Sequence, residues 1–170
     1  FWLSVINAIK EAEIVLFILD ARMPELSHNK DLEERIKSLN KKVLLVFNKI
    51  DLVSKDVLVK LKKEYPCAFF VSGVKSFSVN KLRIALLIEA RKHPQEKLNV
   101  GIVGYPNVGK SVITNILSRG AKTKVSSRAG TTTGNQWAAS NQFKIIDSPG
   151  VISFGDDEIK LGILGAKNPE

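Results

Sequence analysis

Apolar residues recur at helical spacing through the opening segment, at Trp2, Val5, Ile6 and Ile9, and then run unbroken from Ile14 to Leu19 until Asp20 ends them. The first spacing predicts an amphipathic helix over Phe1–Ala12, and the second, rich in β-branched residues, a strand buried on both faces. The alternation then repeats. Leu32, Ile36 and Leu39 share one face of a charged segment, which predicts a helix over Lys30–Leu39, and Val43–Phe47 is a second buried strand. Asp56–Lys63 reads as a helix, Ala68–Val71 as a strand, and Lys81–Arg91 as a helix turning Leu82, Ala85, Leu86 and Ile88 inward. Beyond a Lys-rich link, Val100–Val103 is a further strand and Gly109–Leu117 a further helix. Gln136–Ala139 and Phe143–Ile146 flank Ser140-Asn141, the pattern of a short hairpin.

Apolar runs separated by helical patterns suit parallel βαβ units, whose helices cover both sheet faces. The predicted fold is therefore α/β, a three-layer α/β/α sandwich around a mostly parallel sheet with a short antiparallel edge hairpin. At 170 residues and 44% hydrophobic, the chain is long enough to bury a core as one domain. Its single cysteine, Cys67, cannot form an internal disulfide, which points to a reducing, cytoplasmic setting. No apolar run approaches the roughly 20 residues of a membrane span. Lys10, Glu11 and Glu13 interrupt the opening segment where a signal peptide would be apolar. A soluble protein without a membrane partner is expected. The chain opens on Phe1 and closes on Asn168-Pro169-Glu170, and so reads as a trimmed part of a longer protein. The net charge of +9 suits contact with a polyanion and equally suits a well-solvated Lys-rich surface.

The chemistry concentrates at the ends of the predicted strands. Gly104-Tyr105-Pro106-Asn107-Val108-Gly109-Lys110-Ser111 fits G-x-x-x-x-G-K-[ST] between a strand and a helix, the setting that defines a P-loop NTPase fold. Gly104 and Gly109 permit the tight turn whose N–H groups face phosphate at a helix N-terminus that already favours anions. Lys110 would reach the outer phosphates and act in catalysis, Ser111 would place its hydroxyl on Mg2+, and Val112 continues the contact into the helix.

Asn48-Lys49-Ile50-Asp51 follows Val43–Phe47 directly, at the carboxyl end of a strand, where open α/β sheets bind ligands. The two carboxylate oxygens of Asp51 can accept together from the N1–H and exocyclic amino group of guanine, a pairing adenine cannot make. Asn48 could donate to N7 and tie neighbouring loops together, and the Lys49 stem could cover the base face. Ser72-Gly73, again after a strand, is the third loop expected to close on guanine, with an N–H near Gly73 offered to O6. Asp147-Ser148-Pro149-Gly150 fits D-x-x-G: Asp147 would hold Mg2+ through water, and the Gly150 N–H would sense the γ-phosphate and act in catalysis with Lys110. Thr131, Thr132 and Thr133 offer hydroxyls upstream, of which Thr132 is the favoured metal ligand and Thr131 a further nucleotide contact. Val151 stands where a water-orienting glutamine would be and cannot polarise water, so intrinsic hydrolysis is expected to be slow.

The base-reading motif precedes the phosphate loop, the reverse of the usual order, so the domain is predicted to be circularly permuted. Residues 1–92 form the base-recognition half, 93–98 a linker, 99–155 the phosphate, magnesium and switch half, and 156–170 a C-terminal segment. This order, with Asp20-Ala21-Arg22-Met23-Pro24 after the first strand and Gly130-Thr131-Thr132 before Gln136-Trp137, resembles the YlqF/YawG family of circularly permuted GTPases. The resemblance covers nearly the whole chain and implies a factor in large ribosomal subunit assembly that binds rRNA and cycles between GTP and GDP. Through related GTPases with Asn in the phosphate loop, it also implies activation by K+, with Asn107 as the matching ligand. A monomer without a DNA partner is expected. Ala129 stands where the family commonly has Pro, and Gly73 where it commonly has Ala. A regulatory GTP-binding module that docks a protein and turns over little is the alternative. An ATP-dependent P-loop kinase or ATPase is opposed by Asp51.

Overall fold

The structure, a computed structural model, describes residues 2–92, 96–126 and 142–147. Five strands form one sheet in the order β3-β2-β1-β4-β5. These are β1 Ile14–Asp20, β2 Lys42–Asn48, β3 Phe69–Phe70, β4 Leu98–Gly104 and β5 Phe143–Asp147. Every pairing among them is parallel, so all five carboxyl ends emerge at one edge. Among the described residues, six α-helices accompany the strands: α1 Trp2–Glu11, α2 Pro24–Ser27, α3 Lys30–Ser38, α4 Lys55–Glu64, α5 Asn80–Arg91 and α6 Lys110–Ser126.

The period of two along β1 divides the core. Ile14, Leu16 and Ile18 point to a cluster shared with Leu82 and Leu86 of α5 and Ile113 and Ile116 of α6. Val15, Phe17 and Leu19 point to the opposite cluster, with Val5 and Ile9 of α1, Leu32 and Ile36 of α3 and Leu61 of α4. Burying each such side chain is worth about 2 kcal/mol, and β1, buried along its whole length, is the spine of both layers. This is the three-layer arrangement expected from the apolar runs.

Some elements depart from expectation. In α5 the buried residues are Leu82, Leu86 and Ala90, a strict i, i+4 stripe, while Ile88 is 52% exposed and Ala85 half-buried. Ile88 therefore does not face inward. β3 is shorter than Ala68–Val71 in strand geometry, although the Val71 N–H still donates to the Phe47 carbonyl at 2.8 Å. α6 passes through Gly120 and ends nine residues beyond Leu117. The four-residue α2 was not expected. Pro24 supplies the fixed φ suited to a first helical position, and Ser27 Oγ accepts from the Asp20 N–H at 2.9 Å. β5 is parallel to β4. The Gln136–Ala139 arm of the expected hairpin lies outside the described residues.

Candidate nucleotide-binding site

The strand order brings β2, β1 and β4 side by side, so the loop after β2 and the phosphate loop after β4 flank the end of β1. The phosphate loop leaves β4 at Gly104, where an added Cβ would lie 2.8 Å from the Ile18 carbonyl oxygen of the neighbouring strand. Only glycine permits that approach. Asn107 (φ 67°) and Gly109 (φ 94°) then adopt left-handed backbone on either side of Val108, a conformation that asparagine tolerates and glycine favours. Tyr105 and Val108 are buried as anchors, Pro106, Gly109 and Lys110 are half-buried, and Asn107, Ser111 and Val112 are exposed. Helix α6 begins at Lys110, and the Ile113 N–H donates to the Gly109 carbonyl at 3.0 Å.

Asn48 joins the three loops. Its side chain is buried at the end of β2; Nδ2 donates to the Val108 carbonyl at 3.0 Å, and Oδ1 accepts from the Gly73 N–H at 2.9 Å. A carbonyl on one side and an N–H on the other fix the orientation of the amide. The expected tying of loops is therefore present. The N–H of Gly73, the residue near which a donor to O6 was expected, is engaged by Asn48. Sequence could not show this, because the two residues meet only through the β2–β3 pairing.

Asp51 follows in a short 3-10 turn, Ile50–Leu52. Its Oδ1 accepts from Ser72 Oγ at 2.8 Å, and the carboxylate is exposed at the edge. Ser72 itself is buried, with its N–H donated to Ser78 Oγ at 2.8 Å. One oxygen of Asp51 is thereby oriented by a fixed hydroxyl. Lys49 is left-handed (φ 65°, ψ 32°), a conformation costing a lysine roughly 1 kcal/mol. Its Nζ donates to the Asn107 carbonyl and lies 3.5 Å from Asp20 Oδ2.

Asp20 closes β1 and is 1% exposed. Oδ1 accepts from the Arg22 N–H at 2.9 Å and from Nε at 3.1 Å, while Oδ2 accepts from an Arg22 terminal nitrogen at 2.9 Å. Burial opposes its charge, but the Arg22 hydrogen bonds, with the Lys49 and Arg22 charges, outweigh it and hold the carboxyl below its ordinary value of 3.8. A carboxyl lowered in the folded state stabilises above its unfolded pKa, and that contribution is lost as pH falls through the folded value. The urea midpoint is accordingly expected to drop on acidification below about pH 4, and to drop less steeply in Asp20→Asn. Equal slopes for the two proteins would show that Asp20 contributes nothing to this loss.

Asp147 ends β5 with its backbone paired opposite Ile102 of β4, two residues before Gly104. Thr131, Thr132, Gly150 and Val151 lie outside the described residues. No helix among the described residues is long and apolar enough to cross a membrane.

A G-x-x-x-x-G-K-[ST] loop on β4, with the loops after β2 and β3 at the same sheet edge and earlier in the chain, has the arrangement of a circularly permuted P-loop fold. Residues 99–168 match the family described as 50S ribosome-binding GTPase. The chain is 41% identical over 160 residues to a GTP-binding protein of Methanocaldococcus jannaschii, covering 93% of this chain and 43% of that protein. It is 30% identical over 192 residues to GTPase grn1 of Schizosaccharomyces pombe, covering 94% of this chain and 41% of that protein. It is 28% identical over 185 residues to ribosome biogenesis GTPase A of Bacillus pumilus, covering 96% of this chain and 64% of that protein. These relatives carry the names of GTP-binding proteins and GTPases. The chain spans less than two thirds of the length of each of them.

Proposed function

We propose that the chain binds GTP and GDP with Mg2+, hydrolyses GTP slowly by itself, and serves as a switch in large ribosomal subunit assembly through contact with rRNA. The observation that carries the nucleotide reading is the Asn48 side chain, which locks the Ser72-Gly73 loop to the phosphate loop while Ser72 orients Asp51. A base seated against Asp51 and phosphates cradled by Gly104–Ser111 would then belong to one ligand. The Gly73 amide either exchanges Asn48 for O6 on binding or leaves O6 to a neighbouring N–H.

Ser111 lies exposed in the first turn of α6, and β5 brings Asp147 to the strand end beside the phosphate loop. Hard oxygen donors of this kind suit Mg2+, which completes its octahedron with phosphate and water. Ser111, Thr132 and Asp147 would hold it, and the ion would neutralise charge developing on the phosphates. Lys110 would bind the outer phosphates, with Thr131 and Gly150 closing on the γ-phosphate. Asn107 is the residue that would take K+. The assembly role rests on the relatives' names and on the basic charge. Cytoplasmic rather than nucleolar placement, and a monomeric state, are part of the same proposal.

GTP turnover in potassium buffer, with and without purified large ribosomal subunits, tests chemistry and partner together. Val151 leaves the attacking water without a glutamine, so subunits are expected to raise the rate at least about tenfold by supplying the missing group. No stimulation, with guanine binding intact, would overturn the assembly role. Fast turnover by the isolated chain would overturn the slow intrinsic rate.

A further inference from the structure

Lys49 is a long, flexible side chain in a strained backbone conformation, yet its ammonium has a defined place between the Asn107 carbonyl of the phosphate loop and the Asp20 carboxylate. The Asp20 anchor is itself over-determined. Its backbone pairs with Asn48 in the β1–β2 register, and the Ala21 N–H donates to the Asn48 carbonyl at 2.9 Å. Ser27 Oγ accepts from the Asp20 N–H, the Met23 N–H donates to the Asp20 carbonyl at 3.0 Å, and Arg22 grips both carboxylate oxygens. A buried charge held from this many directions offers a fixed reference point at the centre of the sheet edge.

We propose that Asp20 is a positioning residue for guanine-nucleotide binding: its buried carboxylate and the Asn107 carbonyl together fix the Lys49 ammonium, and with it the aliphatic stem that covers the base. The inference rests on the nucleotide reading above and extends it to a residue outside the phosphate and guanine motifs. The physical gain is pre-organisation. A free lysine loses about 2 kcal/mol of rotamer entropy when immobilised, and a side chain already fixed in the unliganded protein does not lose it on binding. The Lys49 bridge also joins the base-reading loop to the phosphate loop, so a disturbed anchor would be felt at both ends of the ligand. Parallel β1 and β2 create this contact by ending level with each other, with Asp20 opposite Asn48.

The test is a double-mutant cycle on GDP affinity, read with a fluorescent GDP analogue, using Asp20→Asn, Lys49→Met and the double variant, with thermal melting recorded for each. Asp20→Asn alone is expected to weaken GDP binding roughly tenfold, and to change it less than about twofold in the Lys49→Met background, the non-additivity expected of coupled residues. A loss of the same size in both backgrounds would overturn the proposal, since a purely structural Asp20 would act irrespective of Lys49. Should Asp20→Asn fail to fold, Asp20→Glu takes its place in the cycle and is read in the same way. Failure of the unsubstituted protein to bind GDP would overturn the nucleotide reading and this inference together. Binding with an additive cycle would overturn the inference alone.

Discussion

Replacing Gly109 by alanine is expected to weaken GDP and GTP binding by at least about 100-fold while leaving most of the sheet intact. Two costs combine at this position. Gly109 has φ 94°, a backbone conformation that costs a residue with a Cβ on the order of 1–3 kcal/mol. The added Cβ would also lie 2.1 Å from Asn48 Nδ2, and so would displace the side chain that holds the three loops together. A loss of about 3 kcal/mol corresponds to a factor of about 100 or more in affinity. Gly73→Ala is the internal comparison. Its Cβ would meet Val112 Cγ1 at 2.7 Å, no positive φ is involved, and Val112 is 46% exposed and able to turn away. Isothermal titration with GDP should therefore separate the two alanines by at least about tenfold. Equal affinities would show that the Asn48 clamp does not govern binding.

The contrast between these two glycines marks where sequence reading stops. The strands were legible because strands covered on both faces must be continuous apolar runs, as Ile14–Leu19 and Val43–Phe47 are. The loops to which chemistry is assigned could be located because Gly104, Gly109 and Lys110, and then Asn48 and Asp51, stand at fixed spacings after those runs. What remained hidden depended on three-dimensional neighbours. Ile88 looked inward by its apolarity, yet α5 buries Leu82, Leu86 and Ala90, packs Leu87 beside them and leaves Ile88 52% exposed. The Asp20-Ala21-Arg22 triplet could be read as a strand end with a surface ion pair. Only the level ending of β1 and β2 reveals that Asp20 is buried and within reach of Lys49. The engagement of Gly73 by Asn48 was hidden for the same reason.

Asp51→Asn is expected to exchange guanine for xanthine specificity, weakening GDP binding at least about 100-fold and bringing xanthosine diphosphate into the range of the unsubstituted protein's GDP affinity. Guanine offers two donors, N1–H and the exocyclic amino group, and a carboxylate accepts both; a carboxamide can accept only one and turns an N–H against the other. Xanthine carries a carbonyl oxygen in place of that amino group, which restores complementarity to the amide. A charged hydrogen bond contributes about 1.5–3 kcal/mol, and an unmatched buried group adds its own penalty, so the discrimination should be large in both directions. Ser72 is the neighbour that an asparagine at this position would meet. Its Oγ donates to Asp51 Oδ1 at 2.8 Å, and an asparagine would keep that bond only by presenting its oxygen to Ser72, which places the NH2 toward the ligand. The opposite orientation would have the NH2 donate to the same hydroxyl, so the N1–H and carbonyl pattern of xanthine itself settles the amide. Competition of xanthosine and guanosine diphosphates for the variant measures the outcome. Loss of GDP binding without a gain in xanthosine diphosphate binding would mean that Asp51 does not read the base edge. Undiminished GDP binding would place the base elsewhere on the sheet edge.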